Sequence, residues 1–99
     1  MTVSLKGIFA PVVTPFGKDG ELDRTAFEHN CRAHMQAGLN GIVVAGSTGE
    51  APLLDLTERE SLCLWARQHV PNDRVLIAGC GAESTRTTLQ YAERAVERG

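Results

Sequence analysis

Long apolar runs, paired cysteines and clustered basic residues are all missing from this sequence. The longest uncharged stretch, Gly7 to Gly17, carries Pro11 and Pro15 and is too short to span a bilayer, so no membrane partner is expected. No basic patch is interleaved with aromatics, and the formal net charge is -2, which argues against a nucleic-acid partner. Cys31, Cys63 and Cys80 form no C-x-x-C pair and are odd in number, as suits reduced thiols. His29, His34 and His69 lack the spacing to one another or to cysteine that a metal site needs, so no metal is expected. Met1 to Lys6 has neither the apolar run nor the small-residue cleavage site of a secretory signal, which makes the cytoplasm the expected location. A chain of 99 residues can bury one small core.

What is present centres on residues 41 to 50, Gly-Ile-Val-Val-Ala-Gly-Ser-Thr-Gly-Glu. The apolar, β-branched run without polar alternation fits a strand buried on both faces. It breaks into Ser47 and Thr48, flanked by Gly46 and Gly49 and followed by Glu50. Glycines permit a tight turn whose N–H groups point at a ligand, and two hydroxyls beside free amides suit a carboxylate or phosphate. On composition alone the same residues equally fit an ordinary turn whose hydroxyls bond local backbone. Glu50 reads as a brace for the loop rather than a base.

Upstream, Ile8, Phe9, Val12 and Val13 favour a strand, whereas Pro11 removes a ladder donor and needs a bulge or an unpaired edge. Gly17 to Gly20 is a turn by composition. Asp23 is the expected N-cap of a helix whose stripe is Phe27, Asn30, Cys31, His34 and Met35, stopped at Gly38. His34 on that stripe reads as a packing residue. Downstream, Thr57-Glu-Arg-Glu60 fits a capping box, followed by the stripe Leu62, Trp65, Ala66, His69 and Val70, with Trp65 a packing anchor. Val75 to Ala78 is a third buried run, broken by Gly79-Cys-Gly81. Ser84 or Thr85 caps a third helix with the narrow stripe Leu89, Ala92 and Val96, while Glu93 and Glu97 face water.

The order is β-α-β-α-β-α with an internal echo, since Ala45-Gly46 and Ala78-Gly79 occupy equivalent places in successive units. Short helical crossovers imply parallel strands, which leaves two architectures, the closed (β/α)8 barrel and the open doubly wound sheet. Gly99 stands where Gly38 stands after the first helix, so a fourth strand is expected next, and residues 1–99 read as the N-terminal part of one larger domain. Neither nucleotide motif is complete: no Gly-Lys-Ser/Thr follows Gly46-Ser-Thr-Gly49, and Gly79-Cys-Gly81 lacks a third glycine. Cys80 has no histidine expected to face it and reads as a free strand-end thiol.

Pro11-Val-Val-Thr-Pro-Phe16, Gly46-Ser-Thr-Gly-Glu50 and Ala78-Gly79-Cys-Gly81, in this order and spacing, resemble the dihydrodipicolinate synthase / N-acetylneuraminate lyase family. The resemblance covers essentially the whole chain and about the first third of a family member. It implies a (β/α)8 TIM barrel, of which this chain supplies the first three βα units, acting as a class I aldolase through a lysine Schiff base with pyruvate or a related 2-oxo acid. Ser47 then takes the proton-relay position, and Ser47 and Thr48 face the substrate carboxylate, Thr48 binding it through hydroxyl and amide. No metal or organic cofactor is implied, because the lysine imine is the electron sink. A homo-oligomer, tetramer or dimer, is implied for the complete protein. Lys6 and Lys18 do not match the Schiff-base position and Tyr91 falls inside a helix, so the nucleophile and the relay tyrosines would lie beyond Gly99, leaving the chain alone inactive. Ser47, where the synthases commonly have threonine, leans towards the lyase and sugar-acid branches, and Gly81-Ala-Glu-Ser-Thr85 is similar to 4-hydroxy-2-oxoglutarate aldolases. Two alternatives stand beside this reading: a shortened, non-catalytic chain that binds a partner through an open sheet edge, and a nucleotide-binding doubly wound domain.

Overall fold

Asp23 begins the helical layer as its sequence position requires. In the computed structural model, which describes residues 3–99, its carboxylate accepts from the Ala26 amide at 3.0 Å and helix α1 runs Arg24–Gln36. Gly38, at φ 84, turns the chain out of it. The strands are β1 (Phe9–Pro11), β2 (Gly41–Val44) and β3 (Val75–Ala78), joined by α1, by helix α2 (Leu56–His69) and followed by helix α3 (Thr85–Glu97). The sheet is parallel in the order β1-β2-β3, with Ala10, Ile42 and Leu76 in register. Among the described residues, no helix is long and apolar enough to cross a membrane.

Pro11 sits inside β1 because of the direction its nitrogen faces. Val12 N–H donates to the Val43 carbonyl, so the residue before it turns its nitrogen to the other side of β1, where no strand lies among the described residues. The missing N–H therefore removes no ladder bond.

The helices cover one face only. Ile42 and Val44 point into the helical layer and are fully buried, together with Val12, Phe27, Cys31, Leu62 and Ala66. By strand alternation Val43 points the other way, on a row with Pro11 and Ile77. That second face is apolar yet only half-buried at Val43 and Ile77 and exposed at Pro11. Its composition suits the inside of a closed barrel, which is filled by layered side chains.

Between α1 and α2, Phe27 and Trp65 pack with ring centroids 6.2 Å apart, and His69 Nε2 lies 2.6 Å from Glu28 Oε2. The hydrogen bond from His69 holds the Glu28 carboxyl below its ordinary value, against the opposing effect of burial and with help from Arg24. Trp65 and His69 are thus packing and pairing residues on the α2 stripe.

Two expectations are corrected. Helix α2 starts two residues earlier than the Thr57–Glu60 box implies: Asp55 accepts from Glu58 N–H at 2.7 Å, and Glu58 Oε1 accepts from Asp55 N–H at 3.0 Å. Asp-x-x-Glu is as good a box as Thr-x-x-Glu, and the buried Leu54 just before it fixes the earlier start. On α3, Leu89 and Val96 are 58% and 80% exposed, and Tyr91 and Ala95 turn inwards instead. The rotation is set by Arg59, whose guanidinium carbon lies 4.1 Å from the Tyr91 ring centre, and by Arg98 and Arg94, which reach Glu60 at 2.7 and 3.7 Å. Ser84 caps α3, accepting from Thr87 N–H at 3.1 Å.

Burial pushes the thiols of Cys31 and Cys63 up to about 11, so neither is a thiolate near neutrality. Cys80, half-buried after β3, is the accessible thiol of the three. A thiol-disulfide reagent at about pH 8 is expected to label Cys80 rapidly and to reach Cys31 and Cys63 only with denaturant; equal labelling rates at all three would contradict this packing.

Candidate functional site: the turn after the second strand

The turn is bounded by two left-handed residues that are not glycine, Ala45 at φ 54 and Glu50 at φ 62. Ala45 ends β2 abruptly and is buried, a strained geometry that its surroundings must hold in place. Between these residues the backbone closes on itself. The Gly46 carbonyl accepts from Gly49 N–H at 3.1 Å and from Ala51 N–H at 3.2 Å, and the Ser47 carbonyl accepts from Glu50 N–H at 3.1 Å. The Ser47 and Thr48 amides and both hydroxyls have no partner among the described residues, and both residues are exposed. Two N–H and two O–H donors therefore stand together at the carboxyl end of β2, where ligands bind in parallel α/β folds. The hydroxyls do not bond local backbone, as an ordinary turn would have them do.

Glu50 departs from expectation. Its side chain is exposed and accepts no hydrogen bond among the described residues, so within them it braces nothing through its carboxylate. Its contribution is backbone geometry, the left-handed corner from which the chain enters the 3-10 turn Ala51–Leu53.

Three residues outside the Gly46–Glu50 motif hold the turn. Thr14, 5% exposed, donates its hydroxyl to the Gly49 carbonyl at 2.6 Å and ties the turn to the end of β1. Gly79 packs on the Ala45 carbonyl so closely that a Cβ there would lie 2.1 Å from the oxygen, while its N–H donates to Val44 at 2.8 Å. Arg59, 6% exposed, donates to the Ala51 carbonyl at 2.6 Å and to the Gly79 carbonyl at 3.2 Å. A buried threonine just before Pro15 was a usable signal for the first. Arg59 gives no such signal, because an arginine in a run of charged residues at a helix start looks solvated.

A model of the dihydrodipicolinate synthetase family matches residues 4–99. The chain belongs to that family. It is 39% identical over 97 residues to the 4-hydroxy-tetrahydrodipicolinate synthase of Xanthomonas campestris, covering 98% of this chain and 32% of that protein. Among solved structures, a dihydrodipicolinate synthase family protein from Coccidioides immitis superposes with a TM-score of 0.90 at 38% identity, over 94% of this chain and 31% of the other. The dihydrodipicolinate synthase of Aquifex aeolicus superposes with a TM-score of 0.90 at 30% identity, over 96% of this chain and 32% of the other. The chain thus spans about a third of the length of the family members it matches, and its three parallel βα units are the first units of a (β/α)8 barrel. These likenesses lend no support to the nucleotide-binding or the partner-binding alternative. Gly79 in particular is occupied, its N–H and carbonyl both bonded within the fold rather than open to a phosphate.

Within this family fold the contrast between Gly79 and Gly81 is testable. Gly79→Ala must push β3 away from Ala45 and is expected to cost about 1–3 kcal/mol by denaturant unfolding, as overpacking does. Gly81→Ala, with nothing within 4 Å of the added carbon, is expected to stay within about 0.5 kcal/mol of the parent. Equal effects at both positions would contradict the close approach.

Proposed function

We propose that this chain is the N-terminal part of a lyase or synthase that forms or cleaves carbon–carbon bonds through a lysine Schiff base with pyruvate or a related 2-oxo acid. The observation that supports this most directly is the set of unengaged donors on the turn: the amides and hydroxyls of Ser47 and Thr48 at the carboxyl end of β2. Such donors, fixed before the ligand arrives, stabilise a carboxylate without reorganising. Thr48 is proposed to bind that carboxylate through its hydroxyl and amide. Ser47 is proposed to lie beside it and to pass a proton between the reacting centre and groups contributed by a later part of the barrel.

A lysine amine in such an enzyme attacks the keto carbon, and loss of water leaves a protonated imine. The imine draws electrons from the adjacent carbon, so a C–C bond there can break or form without metal or organic cofactor. The lysines of this chain do not suit that role. Lys6 precedes β1, and Lys18 is exposed in the Gly17–Gly20 turn. The nucleophile is therefore proposed to lie beyond Gly99, which would leave residues 1–99 alone inactive. The complete protein is proposed to be a cytoplasmic single-domain barrel that assembles as a homo-oligomer, a tetramer or dimer, using the second apolar face of the sheet as part of its interior.

Reduction of the complete protein with borohydride in the presence of pyruvate is expected to give a covalent adduct on a lysine other than Lys6 and Lys18. Absence of any adduct would overturn the reading. In the same protein, Thr48→Val is expected to weaken pyruvate binding by roughly 1.5–3 kcal/mol, the contribution of a hydrogen bond to a charged group. Ser47→Ala is expected to lower kcat with binding largely retained. Unchanged kinetics in both variants would leave the turn without a role in the reaction.

A further inference from the structure

A single guanidinium bonds the exit of the turn and also the end of β3 that packs against its entry, and nothing in the family motif requires it to. Arg59 lies on the first turn of α2, yet it is 6% exposed and points back towards the sheet. One of its terminal nitrogens donates to the Ala51 carbonyl at 2.6 Å, at the exit of the turn. The other donates to the Gly79 carbonyl at 3.2 Å, at the end of β3. Gly79 is in turn the residue pressed against the Ala45 carbonyl at the entry of the turn. The face of the guanidinium rests on Tyr91 of α3, 4.1 Å from the ring centre, and its Nε is buried without a partner among the described residues. Burying this charge is costly and the orphaned Nε adds to the cost, so packing alone is a poor account of an arginine here.

We infer that Arg59 is a positioning residue for the carboxylate-receiving turn: by bonding Ala51 and Gly79 at once it fixes the distance between the turn's exit and entry, and so the direction in which Ser47 and Thr48 present their donors. The inference rests on the proposed binding of a 2-oxo acid at Thr48. Arg59 touches no substrate and acts through Thr48. Geometry explains why arginine is needed. The two carbonyls belong to different βα units, and a planar fork reaches both, whereas a lysine ammonium is a point donor on a flexible stem.

The test uses the complete protein with pyruvate as the probe and reads KM, kcat and thermal midpoint together. Arg59→Met is expected to raise KM for pyruvate roughly tenfold, the scale on which small misplacements of binding groups act, while KM for the second substrate is unchanged. Arg59→Lys, which can satisfy one carbonyl, is expected to fall between Met and the parent. The decisive arm is a double-mutant cycle. In a Thr48→Val background, Arg59→Met is expected to raise KM little further, because the donor it orients is already gone. Fully additive effects on KM, or a lowered thermal midpoint with parental KM, would overturn the inference by reducing Arg59 to a structural residue. Should Arg59→Met fail to fold, Arg59→Lys in the same cycle carries the same two outcomes. Borohydride trapping of the parent separates the failures: no adduct refutes the proposed function, whereas an adduct with additive KM effects refutes only the role of Arg59.

Discussion

The carbonyl of Gly46 accepts two hydrogen bonds, from Gly49 and from Ala51, and the character of the site follows from that. With Glu50 N–H bonded to Ser47, the donors of residues 49 to 51 are all satisfied inside the turn. Among the described residues Ser47 and Thr48 keep their donors free, side chain and main chain alike, as does the Gly46 N–H. The backbone thereby selects which groups face a ligand, before any ligand is present. Left-handed conformations at Ala45 and Glu50 make this closure possible and carry its strain.

That strain is supported from three directions. Thr14 holds the middle of the turn to the end of β1, Gly79 holds its entry against β3, and Arg59 of α2 holds its exit. Each support comes from a different βα unit, so the geometry of the turn is a product of the parallel repeat and not of its own ten residues. This gives physical content to the rule that sites in such folds gather at the carboxyl ends of the strands: these are the ends where neighbouring units come close enough to hold one another's loops. The opposite requirement falls on the second face of the sheet. Pro11, Val43 and Ile77 are apolar there and incompletely covered, which is why a barrel interior is the consistent context for the chain.

Much of the scaffold was legible because local signals had no rivals. Asp23, Gly38 and Ser84 act where their chemistry directs them, and the uninterrupted run of β2 is buried on its helix-facing side, with Val43 half-buried on the other. The start of α2 was misread because two capping boxes overlap, and only the burial of Leu54 decides between them. The stripe on α3 was misread for another reason: its rotation answers to Arg59 and Glu60, which are far away in sequence. The turn itself was recognisable from its hydroxyls and glycines, but its mechanics were not. Glu50 contributes a backbone corner rather than a carboxylate brace, and Arg59 is buried only because two carbonyls and a ring from separate elements converge on it. Convergence of that kind leaves no periodic trace along a chain.

The central claim is that the free donors of Ser47 and Thr48 form the receptor for a 2-oxo acid carboxylate. A crystal structure of the complete protein after reaction with pyruvate tests it most directly. The account predicts a carboxylate oxygen within about 3 Å of both the Thr48 hydroxyl and the Thr48 amide, with the turn unmoved between the free and reacted states. A carboxylate bound by other groups, with the donors of Ser47 and Thr48 still facing solvent, would contradict it.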